Sequence, residues 1–249
     1  GGAWFAGIGG IIRDCRFESN SSPYGGGIYA KAGEVTIRTT VFENNTAEAR
    51  GGAVRLFESS ADIQDCILTG NSAQQGGGMH LQGTCVPEIE NCQFTENEAS
   101  SLGGAVSNNG GADARYTECT FSGNTATGAS GGQGSGGAIY NDSTSPVFVD
   151  CRIADNTAVV YGGGMYNWYA TPVIENTSSN SFRRIRDNAS GAGGGIFSFG
   201  DGPFLDSMIV CGNTPDQIQG SWSDLGDTCL AGSCASEDGD STPDACQIV

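Results

Sequence analysis

The sequence predicts an all-β solenoid of about eight stacked coils, and two interleaved repeats with a strand-like alternation predict it. The first repeat is Gly-Gly-(Gly/Ala)-apolar. It begins as Gly1-Gly2-Ala3-Trp4 and returns at Gly25-Gly26-Gly27-Ile28, Gly51-Gly52-Ala53-Val54, Gly76-Gly77-Gly78-Met79 and Gly103-Gly104-Ala105-Val106. Further copies stand at Gly136-Gly137-Ala138-Ile139, Gly162-Gly163-Gly164-Met165 and Gly193-Gly194-Gly195-Ile196. The apolar residues are 24, 26, 25, 27, 33, 26 and 31 positions apart, the longer steps marking inserted loops. Self-similarity at such a period is the signature of a stacked repeat.

The second repeat lies midway between the glycine runs and reads apolar-x-x-Cys-x-apolar-x-x-Asn, as in Ile63, Cys66, Leu68 and Asn71. Other copies are Ile12/Cys15/Phe17/Asn20, Ile37/Thr40/Phe42/Asn45, Ile89/Cys92/Phe94/Asn97, Tyr116/Cys119/Phe121/Asn124 and Phe148/Cys151/Ile153/Asn156. A degenerate copy is Arg183/Ile185/Asn188. Cys-x-Phe alternates with a period of two, while the three-residue step from Ile63 to Cys66 demands a corner, so each coil is expected to hold about three short strands. No sustained helical period competes with this reading.

Parallel stacking would superpose equivalent residues about 4.8 Å apart. Two inward columns, Ile28 to Ile196 and Phe17 to Ile185, are the expected core. The asparagines form a side-chain ladder at a turn. The glycines supply positive φ or close backbone approach. They do not read as a phosphate loop, which would need one glycine motif between a strand and a long helix. The solenoid is expected to span 1–210, followed by a Cys/Asp-rich tail over 211–249.

Eleven basic residues, one of them lysine, face 28 acidic ones, which excludes nucleic acid and anionic membranes as natural partners. No apolar run is long enough to span a membrane as a helix, and the start lacks a basic n-region, so the chain reads as processed and secreted or displayed at the cell surface. Ten cysteines agree with an oxidising compartment. Zinc is disfavoured, since His80 is the single histidine and the regular cysteines recur once per coil.

Cys66, Cys92, Cys119 and Cys151 share one column at a rung spacing that a disulfide tolerates, with a column of buried free thiols as the alternative. Cys211, Cys229, Cys234 and Cys246 are disulfide candidates of the tail, and Cys85 is unassigned.

Phe17-Glu-Ser-Asn20, Phe42-Glu-Asn-Asn45, Phe94-Thr-Glu-Asn97 and Phe121-Ser-Gly-Asn124, with Gly51-Gly-Ala-Val54, Gly103-Gly-Ala-Val106 and Gly136-Gly-Ala-Ile139, resemble the Phe-x-x-Asn and Gly-Gly-Ala-Ile tetrapeptides of chlamydial polymorphic membrane proteins. The likeness covers about residues 1–200. It implies a right-handed parallel β-helix outside a cell, used in adhesion or self-association. The amphipathic strands of a transmembrane barrel do not follow in this sequence. The segment from Cys234 to Cys246 is instead similar to the Asp-rich calcium segments of some secreted bacterial β-helix proteins. Asp238, Asp240 and Asp244 are its candidate Ca²⁺ ligands, against a disulfide-closed acidic turn.

An outward column of Tyr29, Arg55, His80, Ser107, Tyr140, Tyr166 and Phe197, extended by Trp168, Tyr169 and Phe199, is expected to present aromatic rings to sugars or to another subunit. Tyr140, Tyr166, Trp168, Tyr169, Phe197 and Phe199 are the candidate interaction surface. Asn141 and Asn176 are the better-placed glycosylation sequons. The residue before each cysteine offers one adjacent acidic pair, Glu118 and Asp150, which a polysaccharide-cleaving enzyme would need; a strand corner without a cleft favours turn formers instead. Because β-helix tips carry unpaired strand edges, Gly1, Gly2, Ala3, Trp4 and Phe5 are the expected contact for end-to-end stacking of copies. The functional expectation is a non-enzymatic extracellular structural or adhesive protein that assembles into fibres. A monomeric glycan-binding adhesin is the alternative, followed by a polysaccharide lyase or hydrolase.

Overall fold

The computed structural model describes residues 2–7, 9–128, 133–177, 184–232, 234 and 247–248. Its strands form four sheets that run along one axis; each of the first six turns of chain contributes one strand to each sheet in order, and the last three turns contribute to the first three sheets alone. The coil following Gly51 is representative: Val54–Phe57, Ser60–Gln64, Ile67–Thr69 and Ser72–Gln75. The first and second sheets have nine strands, the third ten and the fourth six. All pairs but the final one are parallel; Cys229–Ala231 meets Gln247–Ile248 antiparallel. No helix occurs among the described residues.

Register is what the repeats predict from Ile28 onward, whereas in the first copy Ala3 rather than Trp4 pairs with Ile28 and Trp4 faces outward. Met79 lies between Val54 and Val106, and Leu68 lies between Phe42 and Phe94. These columns are buried almost throughout and form a single core cluster down the interior. Rings stack where they meet in adjacent coils, with centroids 4.8 Å apart for both Phe94–Phe121 and Tyr116–Phe148.

The corners explain the odd spacing. Asp65, Asn91, Glu118 and Asp150, each immediately before a column cysteine, have φ of 54°, 49°, 54° and 51°. A left-handed residue turns the strand while keeping both Ile63 and Cys66 inward, and short polar side chains tolerate that conformation best. A second left-handed corner precedes the asparagine ladder, at Asn44 and Glu96 for example. Gly51 takes φ +68°, and a Cβ on the following Gly52 would collide with the carbonyl oxygen of Gly77 in the next coil. Both expected uses of glycine thus occur in one run.

Two expectations change. Each full coil has four strands rather than three, because a short fourth sheet buries a column of alanines, Ala47, Ala73, Ala99, Ala126 and Ala158. The stacking also continues past residue 210. Ile218–Gln219, Ser223–Gly226 and Cys229–Ala231 extend the first three sheets.

Candidate interaction surface

Two polar ladders run along the solenoid, the second of them within the sheet that carries the candidate surface. In the expected ladder the side-chain amides of Asn20, Asn45, Asn71, Asn97, Asn124, Asn156 and Asn188 each donate to Oδ1 of the next member, over 2.9–3.0 Å. Asn213 is an eighth member, and its amide ends on Gln217 Oε1 at 2.8 Å. The second amide hydrogen also has a use. That of Asn97 reaches the carbonyl of Leu68 at 2.9 Å. Burying such groups is tolerable only because every hydrogen is placed.

A second ladder is hidden within the first sheet. Asn108 donates to Asn141 at 2.8 Å, Asn141 to Asn167 at 2.9 Å, and Asn167 to Ser198 Oγ at 3.3 Å. The Tyr116 hydroxyl closes it by donating to Asn108 Oδ1 at 2.8 Å. This column is Ala30, Leu56 and Leu81 in earlier coils, so its change from apolar to amide gives no periodic hydrophobic signal. Asn141 is therefore not a glycan acceptor: its amide is fully buried and donates within the ladder. Asn176 is half-buried near the surface, its amide 3.4 Å from the Ser207 carbonyl.

The aromatic surface is smaller than the sequence suggests. Tyr140 and Tyr166 are buried, and Phe197 is half-buried. Residues ahead of two glycine runs, Tyr24 and Tyr161, lie against the outward column of the first sheet. Tyr161, preceding Gly162, lies with its ring centroid 5.7 Å from Tyr166 and 4.4 Å from Phe197. Burial raises the Tyr166 hydroxyl to about 12 and the Tyr140 hydroxyl further still.

What remains exposed is a ledge of three rings. Trp168 stacks on Phe199 of the next coil at 4.5 Å and 10°, and Tyr169 meets both rings edge-on at 5.3 and 5.4 Å. Trp168, Tyr169 and Phe199 are 37%, 56% and 45% exposed. Trp168 and Phe199 follow Asp142, Asn109 and Gln82 in one register column. The ledge thus continues into a strip of polar side chains that can hydrogen-bond.

Cys66, Cys92, Cys119 and Cys151 are not cross-linked; they are buried free thiols, as is Cys85. Their sulfurs face backbone carbonyls instead. Cys66 Sγ lies 3.1 Å from the Gln64 carbonyl and Cys92 Sγ 3.2 Å from that of Glu90. Burial raises the Cys85 thiol to about 11 and holds the Cys119 thiol well above its ordinary value. In the tail, Cys211 is bonded to Cys234 with a Cα separation of 5.1 Å, and Cys229 is also disulfide-bonded. Cys246 and the candidate calcium ligands Asp238, Asp240 and Asp244 lie outside the described residues, as does Gly1. Gly2 precedes the strand Ala3–Ala6, in which Trp4 and Phe5 pair with Tyr29 and Ala30.

Glu118 and Asp150 sit on left-handed corners. Asp150 accepts the Thr177 N–H at 2.9 Å and its hydroxyl at 2.7 Å, which ties down the loop after Val173–Glu175.

Parallel sheets, corner residues and an internal asparagine ladder together define a β-solenoid. The chain belongs to the right-handed β-helix region family, whose match spans residues 52–214, about two thirds of the sequence. Residues 14–31 and 39–55 also match the Chlamydia polymorphic membrane protein repeat, where the Phe-x-x-Asn and glycine motifs of the first coils lie. No curated protein and no solved structure matches the chain.

Proposed function

We propose that this chain is a non-enzymatic, cell-surface β-helix that adheres through the ledge of Trp168, Tyr169 and Phe199. The exposed Trp168–Phe199 stack carries this reading, because a rigid aromatic pair offers an apolar platform without needing to be ordered on binding. The polymorphic membrane protein repeats of the first coils support a place outside the cell. A non-enzymatic role is supported by Asp150, whose carboxylate holds the backbone and hydroxyl of Thr177 and so serves the corner. Sugar rings suit the ledge, since flat aromatic faces stack on them and the neighbouring polar strip offers hydrogen bonds.

Glycan-array and cell-binding assays with the purified chain test this reading. Binding that falls at least tenfold in Trp168→Ala and Tyr169→Ala, with the fold intact by circular dichroism, supports it. Unchanged binding in both variants removes the ledge from the function. Release of reducing ends from a polysaccharide, lost in Asp150→Asn, would restore the enzyme reading.

End-to-end stacking of copies is a second reading. Each coil accepts the next through the same parallel register, as Ala3–Ala6 pairs with Ile28–Lys31, and a terminal coil could accept another copy in this way. Electron microscopy of native material would show filaments under this reading and isolated short rods without it.

A further inference from the structure

Most of the acidity of this chain faces solvent, yet a cluster of basic side chains lies beneath the covering turn of the second and third coils. Arg55 follows Val54 in the strand Val54–Phe57 and is 5% exposed; His80 holds the same place in Met79–Gln82 and is 1% exposed. Half-buried Arg50, at the end of Thr46–Arg50, reaches the same spot from the covering turn.

No acid neutralises them. Elsewhere arginine meets carboxylate: Arg38 pairs with Asp62, Arg115 with Glu175 and Arg152 with Asp155. Among the described residues no ion pair includes Arg50, Arg55 or His80. Both guanidinium groups instead converge on one neutral oxygen, Gln82 Oε1, at 2.7 Å from Arg50 Nη1 and 3.1 Å from Arg55 Nη2. The remaining nitrogens of Arg55, Nε and Nη1, are buried without a partner, and so are both ring nitrogens of His80. The rings of Tyr24, Tyr29 and Phe57 lie 4.5, 5.4 and 5.5 Å from the Arg55 guanidinium carbon. They attract the cation but supply no acceptor of carboxylate or phosphate strength. His80 pairs in register with Arg55 and Ser107, Gln82 stands two residues on in the same strand, and the charges that act on His80 are those of Arg55 and Arg50.

Two converging guanidinium groups, that of Arg55 with two orphaned nitrogens, beside an imidazole that donates one more, fit a multi-oxygen anion. Leaving such charge buried and uncompensated is costly, and a bound anion removes the cost. We infer that Arg50, Arg55 and His80 form a binding site for a sulfate or phosphate group, either free or carried on a glycan. Gln82 Oε1 occupies the place of one anion oxygen, and Tyr24, the most exposed of the three rings, is the outer wall of the site. Three register steps separate Gln82 from Trp168, so this site stands independently of the adhesive ledge.

Isothermal titration calorimetry of the full chain with sodium sulfate and sodium phosphate, at constant ionic strength set by chloride, tests the site. The expected result is saturable binding of at least one oxyanion, weakened at least tenfold in Arg50→Gln and lost in Arg55→Met. Arg50→Gln alters only a half-buried side chain, and therefore keeps the test decisive if Arg55→Met fails to fold. A parallel titration with heparin and its desulfated form distinguishes the sources: sulfate-dependent heparin binding tighter than inorganic sulfate identifies a glycan-borne group, and inorganic binding alone identifies a free ion. No saturable binding by any of these probes, or equal binding by the wild type and Arg50→Gln, overturns the site.

Discussion

The amide of Asn97 donates to Oδ1 of Asn124 at 3.0 Å, and the same oxygen accepts the backbone N–H of Asn97 at 3.0 Å. One side-chain oxygen in each coil therefore satisfies two donors of the coil before it. Because each asparagine serves the preceding coil as well as its own turn, replacing one strands groups on both sides.

Asn97→Ala leaves the Asn71 backbone N–H and amide without their acceptor and the Leu68 carbonyl without its donor. The expected loss is about 2–4 kcal/mol, the scale for several buried groups deprived of partners. Urea denaturation of the variant beside wild type measures it. A loss below about 0.5 kcal/mol would remove the ladder from the stability of the fold.

Glycine positions should separate sharply. Gly52→Ala drives a Cβ into the Gly77 carbonyl and is expected to prevent soluble folding or lower the melting temperature by more than about 6 °C. Gly110 has φ +58° but open space around its Cβ direction, so Gly110→Asn should shift the melting temperature by less than about 3 °C. Scanning calorimetry compares the two.

The buried thiols predict weakening in alkali. Burial holds the Cys85 thiol at about 11, above its ordinary value of 9.0. Below the ordinary value both states keep the proton and the full contribution is present. Above it the unfolded chain ionises first, so stability falls as pH rises towards the folded value. The urea midpoint should drop between pH 8 and pH 10.5, and a thiol reagent should label exposed Cys15 in the native protein but Cys66, Cys85, Cys92, Cys119 and Cys151 only after unfolding.

On the acid side His80 sets the sign. Burial first, then the charges of Arg55 and Arg50, hold it well below 6.5. Its contribution is present above the ordinary histidine range and is lost as pH falls through the folded value, because the unfolded chain takes up the proton first. In oxyanion-free buffer His80→Leu should flatten the fall in urea midpoint between pH 7 and pH 5. An identical pH profile in the variant would contradict this.

The periodic positions were readable because each combines a distinctive residue type with a fixed step: glycine at a forced φ, asparagine at a ladder, phenylalanine in the core. The fourth sheet was not, since its inward residues are alanines such as Ala73 and Ala99, whose contrast with neighbouring serine and glutamate is weak. The reach of the aromatic surface is illegible in the sequence for another reason. Alternation places Tyr140 and Tyr166 outward, but only three-dimensional geometry shows Tyr161 folding over that face. Likewise Asn108, Asn141 and Asn167 look like surface amides until their partners in adjacent coils are known. The thiol column had two readings on spacing alone, and the direction of each sulfur towards a carbonyl decided between them.

The in-register stacking of coils is tested most directly by electron–electron resonance between nitroxides at Ile11→Cys and Phe204→Cys in a Cys15→Ser background. These exposed positions are joined by seven consecutive pairings through Thr36, Asp62, Glu88, Arg115, Val147 and Val173. At about 4.8 Å per rung the backbone separation is about 34 Å. A narrow distribution near that value is the expected result; a broad one, or a mean below about 20 Å, would contradict the stacked solenoid.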